Sequence, residues 1–231
     1  MLKAVAALLF ASLASASSAQ ALVAKVEQEQ ARLAAVRGRQ LFAVDNPGRD
    51  GFDFAAEARQ VAAQLPSTST AFADLAQGIG PARAQLLEGL AQGAAFTHYF
   101  GHGGPQTWAD EGLMTIEDAA SLPGSGTVVL TWTCLAQFYQ YIFGPSVNEA
   151  MMLDPEAGAL AAFGPSGITE VGLQAVLYQR LYAELATGGT TLGEAIQRAK
   201  ARAVAEDPRA VPVVEGWNLL GDPALFIERS K

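Results

Sequence analysis

The chain has 231 residues, of which 50% are hydrophobic and 16% are charged, and its formal net charge is -8. This composition predicts one α/β domain with a sizeable core and excludes a disordered chain. Because the 15 basic residues are scattered rather than clustered, we expect no nucleic-acid partner.

The first residues resemble a secretory signal peptide. Lys3 precedes an apolar stretch over 4–16, which ends in the small residues Ala14-Ser15-Ala16. We predict a signal peptide over 1–20 and a protein that is secreted or held at the cell envelope; an Ala-rich first helix, or a start inside a longer gene, is the alternative. No apolar run reaches the roughly 20 residues of a membrane-spanning helix, so we expect no transmembrane span.

Hydrophobic periodicity next predicts an alternation of helices and strands. Pro and Gly residues mark the ends of several of these elements. The predicted order begins with a helix over 17–37, a strand over 40–44, a helix over 54–65, a strand near Thr70, a helix over 82–90 and a strand over 94–100.

Capping and turn residues organise the second half of the chain. Thr115 with Asp118, and Ser146 with Glu149, form patterns that predict helix starts. The clearest strand runs over 127–133, with the sequence TVVLTWT. A strand over 159–163, two helices separated by Gly188-Gly189 and a last strand over 224–228 complete the predicted order.

Strands that alternate with helices predict a mostly parallel sheet with helices on both faces. In such sheets, sites form at the carboxyl ends of the strands. His102 closely follows the strand over 94–100, and Cys134 directly follows the strand over 127–133. We therefore expect both side chains at the same edge of the sheet.

Cys134 is the candidate nucleophile. The sequence has 1 cysteine and 2 histidines, which excludes an intrachain disulfide and leaves too few ligands for an ordinary zinc site, so we expect no metal or other cofactor. A thiol attacks as the thiolate, which forms beside a cation, a helix N-terminus or a general base. His102 is the credible base, since His98 lies within an apolar strand and is better explained as a core residue. A small buried cysteine without chemistry is the alternative.

Glycines surround His102. Gly101, Gly103 and Gly104 remove side-chain bulk, allow a substrate backbone to approach, and leave N–H groups free to stabilise an oxyanion. A core histidine rarely needs such neighbours.

Several segments together carry a family resemblance. They are HYFGHGG over 98–104, TWADE over 107–111, Thr133-Cys134 after a hydrophobic strand, and GDPAL over 221–225. These segments resemble the gingipain-type cysteine peptidases, the C25-like branch of the caspase-like clan. The resemblance implies a caspase-like three-layer sandwich over residues 21–231. The family domain normally has more chain upstream, so the resemblance also implies that this chain is a minimal or N-terminally truncated version of that domain.

The resemblance further implies the roles of individual residues. Cys134 and His102 would form the catalytic dyad of a cysteine endopeptidase that hydrolyses protein or peptide substrates through a thioester, with the N–H groups of Gly103 and Cys134 as the oxyanion hole. Arginine- or lysine-directed members line their specificity pocket with acidic and aromatic groups. The corresponding candidates here are Asp50, Asp53, Trp132, Phe163 and Ser166.

Two alternatives stay open. A CHAT-type caspase-like peptidase shares a His-Gly turn, a strand that ends in Ala-Cys and a C-terminal Gly-Asp, although Thr133 before the cysteine favours the gingipain branch. The other alternative is a catalytically silent module derived from a truncated peptidase.

Overall fold

A computed structural model of the protein describes residues 28–47, 51–122, 126–154 and 157–229. The predicted signal peptide, the first part of the helix predicted over 17–37, and Asp50 lie outside these ranges. The first element in the described part of the chain is a helix, α1, over residues 28–35.

Helices and strands alternate along the described chain. The strands are β1 (Arg39–Val44), β2 (Ser69–Asp74), β3 (Phe96–Phe100), β4 (Gly103–Gly104), β5 (Thr107–Trp108), β6 (Met114–Thr115), β7 (Val128–Trp132), β8 (Ala161–Pro165), β9 (Thr190–Thr191), β10 (Trp217–Gly221) and β11 (Phe226–Ile227). The helices after α1 are α2 (Phe54–Ala62), α3 (Ile79–Gln92), α4 (Ile116–Ala120), α5 (Val147–Leu153), α6 (Val171–Thr187), α7 (Leu192–Glu206) and α8 (Val211–Gly216). None of these helices has both the length and the apolar character that crossing a membrane requires.

The central sheet has 6 strands in the order β10-β8-β7-β3-β1-β2. Every neighbouring pair is parallel except β8 and β10, which are antiparallel. The predicted mostly parallel sheet is confirmed.

Each face of this sheet carries its own core. Along β1, Phe42 and Val44 pack towards α2, α6 and α7, whereas Leu41 and Ala43 pack towards α3, α4 and α5. All four side chains are at most 1% exposed. Alternate residues of a strand point to opposite faces, so a strand that is apolar throughout needs cover on both sides. The helices supply that cover, which confirms the three-layer arrangement.

The helix starts follow the predicted caps. Thr115 with Asp118 begins α4 and Ser146 with Glu149 begins α5, as predicted. Thr191 with Glu194 begins α7 in the same way, and each of these starts is a reciprocal capping box.

The end of the chain differs from the prediction. The last strand of the central sheet is β10, whereas the strand predicted over 224–228 shrinks to β11, which pairs with β9 in a separate sheet. A turn shortens it, because the Asp222 carboxylate accepts from the Ala224 N–H at 2.8 Å. In β10, Trp217 is buried and its Nε1 donates to the Thr131 carbonyl at 3.2 Å. This tertiary contact favours the strand, and no local sequence pattern indicated it.

His98 lies inside the core, in a chain of hydrogen bonds. Trp132 Nε1 donates to the Tyr182 hydroxyl at 2.7 Å. That hydroxyl can then donate to His98 Nδ1 at 2.9 Å, and His98 Nε2 donates to Gln40 Oε1 at 2.8 Å. Burial lowers the pKa of His98 to about 3, so its imidazole is neutral at neutral pH.

The buried state of His98 makes stability depend on pH. The unfolded chain protonates this imidazole below about pH 6.5, while the folded protein resists protonation until its depressed pKa of about 3. The free energy of unfolding therefore falls as the pH drops below about 6.5, by up to about 1.4 kcal/mol per pH unit from His98 alone. Urea unfolding at several pH values should show a shallower fall in His98→Gln.

The matched control is His102→Gln. The His102 ring is exposed, so this variant removes a histidine without altering the buried hydrogen bonds of His98. Equal slopes for His98→Gln and the wild type would show that another group causes the acid sensitivity.

Candidate active site

His102 and Cys134 follow the ends of two adjacent strands. β3 and β7 pair in parallel with Phe100 opposite Trp132, and the Gly101 N–H extends the ladder by donating to the Trp132 carbonyl at 3.2 Å. His102 and Cys134 each come two residues after that pair. The sheet register thus brings the imidazole-bearing and thiol-bearing segments to the same edge.

The backbone of His102 is fixed from both sides. Its N–H donates to Asp45 Oδ2 at 2.9 Å, and its carbonyl accepts from the Tyr99 hydroxyl and from the Ala109 N–H, the latter at 2.9 Å. The imidazole itself is exposed and meets the Phe54 ring edge-on, with centroids 5.2 Å apart. The main chain is held while the ring remains accessible.

Asp45 is a site residue that the sequence analysis missed. It follows β1, is 5% exposed, and its N–H donates to the Phe100 carbonyl at 3.0 Å. Burial raises the pKa of its carboxyl above the usual range, although the hydrogen bonds from the N–H groups of His102 and Asn46 act in the opposite direction. Its position directly after a buried parallel strand was the signal that could have identified it.

The glycine before His102 is sterically required. A Cβ at Gly101 would collide with Asp45 Cβ and with the Tyr99 hydroxyl. These are the two side chains that bind the His102 backbone. Only a residue without a side chain allows both to reach it.

Cys134 sits in a tight turn that neighbouring segments hold in place. The Thr133 carbonyl accepts from Gln174 Nε2 at 3.2 Å, and the Leu135 N–H donates to the Gly167 carbonyl at 3.1 Å. Leu135 has a φ of +59°, a left-handed conformation that is uncommon for a residue other than glycine. The half-buried thiol lies 3.7 Å from the Thr169 carbonyl, at the long end of a weak S–H hydrogen bond.

Gly103 begins a hairpin that packs on this turn. A Cβ at Gly103 would lie 2.6 Å from Thr133 Oγ1 and 3.6 Å from the Cys134 carbonyl. Gly103 is opposite Trp108, and the flanking bond from the Ala109 N–H to the His102 carbonyl makes this a non-hydrogen-bonded pair. The Gly103 N–H therefore points away from β5. The Cys134 N–H has no backbone acceptor within the described ranges.

The other predicted site residues have different surroundings. Asp53 caps α2, because its carboxylate accepts from the Ala56 N–H at 2.9 Å, and Ser166 Oγ donates to the Gly216 carbonyl at 3.1 Å. Trp132 and Phe163 are each 1% exposed, so in this conformation they present almost no surface to a substrate. The structure thus brings together His102, Gly103 and Cys134 among the predicted residues.

Comparisons with known proteins bear on the family and the fold. The profile of peptidase family C25 matches residues 11–227. The crystal structure of the Arg specific cysteine proteinase gingipain R (RGPB) superposes with a TM-score of 0.76 at 13% sequence identity, covering 93% of this chain and 54% of that one. The complex of Porphyromonas gingivalis RgpB pro- and mature domains gives a TM-score of 0.75 at 14% identity, covering 93% and 55%.

This chain therefore spans about half the length of those solved structures. At such low identity the superposition shows a shared fold. No curated protein sequence matches the chain.

Proposed function

The chain belongs to peptidase family C25, and from that premise we propose that it is a cysteine endopeptidase in which Cys134 attacks the peptide bond and His102 transfers the protons. The observation that supports this most directly is the β3–β7 register, because the two residues follow these paired strands at the carboxyl edge of the sheet. The family match also favours this assignment over a CHAT-type peptidase.

The proposed reaction has two halves. His102 accepts the thiol proton of Cys134, and the thiolate attacks the carbonyl carbon of the scissile bond. The oxyanion accepts hydrogen bonds from the N–H groups of Gly103 and Cys134. His102 then protonates the leaving amine, which breaks the C–N bond and leaves a thioester. In the second half, His102 takes a proton from water as the water attacks the thioester carbon. The C–S bond then breaks, the acid product leaves, and His102 returns the proton to the Cys134 sulfur.

The backbone geometry suits these roles. The Gly103 N–H points out of its hairpin, and that hairpin packs against the Cys134 turn. Because hydrogen bonds hold the main chain of both the His102 segment and the Cys134 turn, the N–H groups of Gly103 and Cys134 are oriented before substrate arrives. Preorganised donors of this kind stabilise a developing oxyanion without reorganising during the reaction.

A peptide that carries a thiol-reactive group tests the proposal. An active site should become labelled stoichiometrically at Cys134, and internal cleavage of a mixed peptide library should identify an endopeptidase. A catalytically silent module would neither be labelled nor cleave the library.

Asp45 is proposed as a positioning residue for His102. Asp45→Ala removes the acceptor of the His102 N–H, so we expect kcat to fall roughly tenfold to a hundredfold with little change in KM, because a small displacement of a reacting group is costly. Asp45→Asn keeps one carbonyl oxygen and should restore part of the loss. Steady-state kinetics with a cleaved library peptide provides both constants.

Asp74→Ala is the matched control for Asp45. Asp74 ends β2, is also 5% exposed, and its carboxylate likewise accepts from a backbone N–H, that of Ala76 at 3.0 Å. It should lose stability but keep the wild-type kcat. If both alanine variants lower kcat equally, the contribution of Asp45 is to stability alone.

We also propose that the chain is exported, on the basis of the signal-like composition of its first residues. Sequencing the N-terminus of protein recovered from the expressing cells and their medium tests this. A processed N-terminus close to residue 17 supports export, and an intact Met1 on intracellular protein contradicts it.

A further inference from the structure

Ile168 is a large apolar side chain, 82% exposed, beside the nucleophile. The residues on either side of it contact the Cys134 turn, since the Gly167 carbonyl accepts from the Leu135 N–H and the Thr169 carbonyl lies 3.7 Å from the Cys134 thiol. Leaving such a side chain in water forgoes the stabilisation that burial would supply. Its position next to the thiol gives a substrate direct access to it.

A second exposed apolar pair belongs to the segment that follows Cys134. Ile142 is 85% exposed and Phe143 is 77% exposed. Their segment lies against the hairpin after His102, because the Val147 N–H donates to the Pro105 carbonyl at 2.6 Å and a Cβ at Gly144 would lie 3.2 Å from Gln106 Nε2. Exposed apolar side chains thus lie beside both the Cys134 turn and the hairpin after His102.

The segments that build this surface carry no charged side chain. Residues 101–108, 133–148 and 158–169 contain no Asp, Glu, Lys or Arg. Carboxylates lie outside these segments: Asp45 accepts from the His102 N–H, Glu111 accepts from Asn46 Nδ2 at 2.9 Å, and the exposed Glu170 follows Ile168 by two residues. A lysine or arginine side chain against these segments would lose hydration, and the segments themselves hold no carboxylate with which it could form an ion pair.

We propose that the site selects an apolar residue next to the scissile bond, with Ile168 as the side chain that determines this preference. The strand order β8-β7-β3 places the Ile168 segment on the opposite side of Cys134 from His102. The substrate is an extended peptide whose leucine-like or aromatic side chain covers Ile168, while Ile142 and Phe143 contact the peptide farther along. This inference rests on the peptidase activity proposed above.

Peptide sets that differ at the residues flanking the cleaved bond test the preference. The wild-type protein should cleave peptides with Leu or Phe at one flanking position with kcat/KM at least about tenfold above those with Lys or Arg, the range that one apolar contact provides. Ile168→Asp places a carboxylate on the same surface, and should reduce this ratio at least about tenfold. Because Ile168 is a surface residue, the replacement leaves the core unchanged.

Leu153→Asp is the control, since Leu153 is 65% exposed but lies at the far end of α5. It should keep the wild-type ratio. A wild-type preference for Lys or Arg, or an unchanged ratio in Ile168→Asp, overturns the inference while leaving the peptidase proposal intact. Absence of both cleavage and Cys134 labelling overturns the peptidase proposal, and this inference with it.

Discussion

Cys134→Ala is expected to lower kcat/KM for peptide hydrolysis by a factor on the order of 10⁴ or more, because it removes the group that forms the thioester. The fold should survive, since the thiol is half-buried and its recorded polar contact is the long one to the Thr169 carbonyl. Turnover of a fluorogenic peptide by the variant and the wild type measures the loss, and thermal unfolding checks the fold.

Because the chain has 1 cysteine, the site of labelling in the accompanying experiment is unambiguous. Any thiol-directed reagent that attaches must attach at Cys134. Cys134→Ser is the conservative companion, because it keeps nearly the same shape with a much weaker nucleophile. Undiminished hydrolysis by a folded Cys134→Ala protein would mean that the reaction proceeds elsewhere in the molecule.

His102→Ala should cost almost as much activity as Cys134→Ala. Without the imidazole, no group at the site is expected to accept the thiol proton or to protonate the leaving amine. Catalytic residues that act as one unit have strongly non-additive effects, so the double variant should be no less active than either single one. Steady-state kinetics of the three proteins measures this, and the rates of thiol alkylation of His102→Ala and the wild type show how far the imidazole activates the thiol.

The contrary outcome is equally clear. If the two losses multiply in the double variant, the residues act independently and the dyad assignment is wrong. Thermal unfolding provides the control for His102→Ala: the exposed ring contacts Phe54 edge-on, so only a small loss of stability is expected.

Local chemistry made much of the fold predictable. The strand over 128–132 is a short apolar run between turn residues, and the starts of α4 and α5 follow capping patterns within four residues of chain. The positions of His102 and Cys134 after two strands were equally visible in the sequence. Their alignment depends on which strands are neighbours, and the α/β alternation predicted only a common edge.

The features that escaped prediction depend on contacts between distant parts of the chain. β10 is extended because Trp217 packs beneath β7 and β8, and Asp45 belongs to the site because its carboxylate meets the His102 N–H. The small three-stranded sheet of β4, β5 and β6 has strands of only two residues, which are too short for an alternating pattern to be recognised. No periodicity within a window of sequence reports such pairings.

The two halves of the site depend on opposite parts of the chain. The His102 backbone is anchored by Asp45, 57 residues earlier, while the turn that bears Cys134 is anchored by Gln174, 41 residues after Thr133. During synthesis, the thiol segment therefore emerges well before the helix that fixes it. In a newly made chain, the segments of His102 and Cys134 are therefore both fixed only after α6 has been synthesised, so the geometry of the site is completed late in folding.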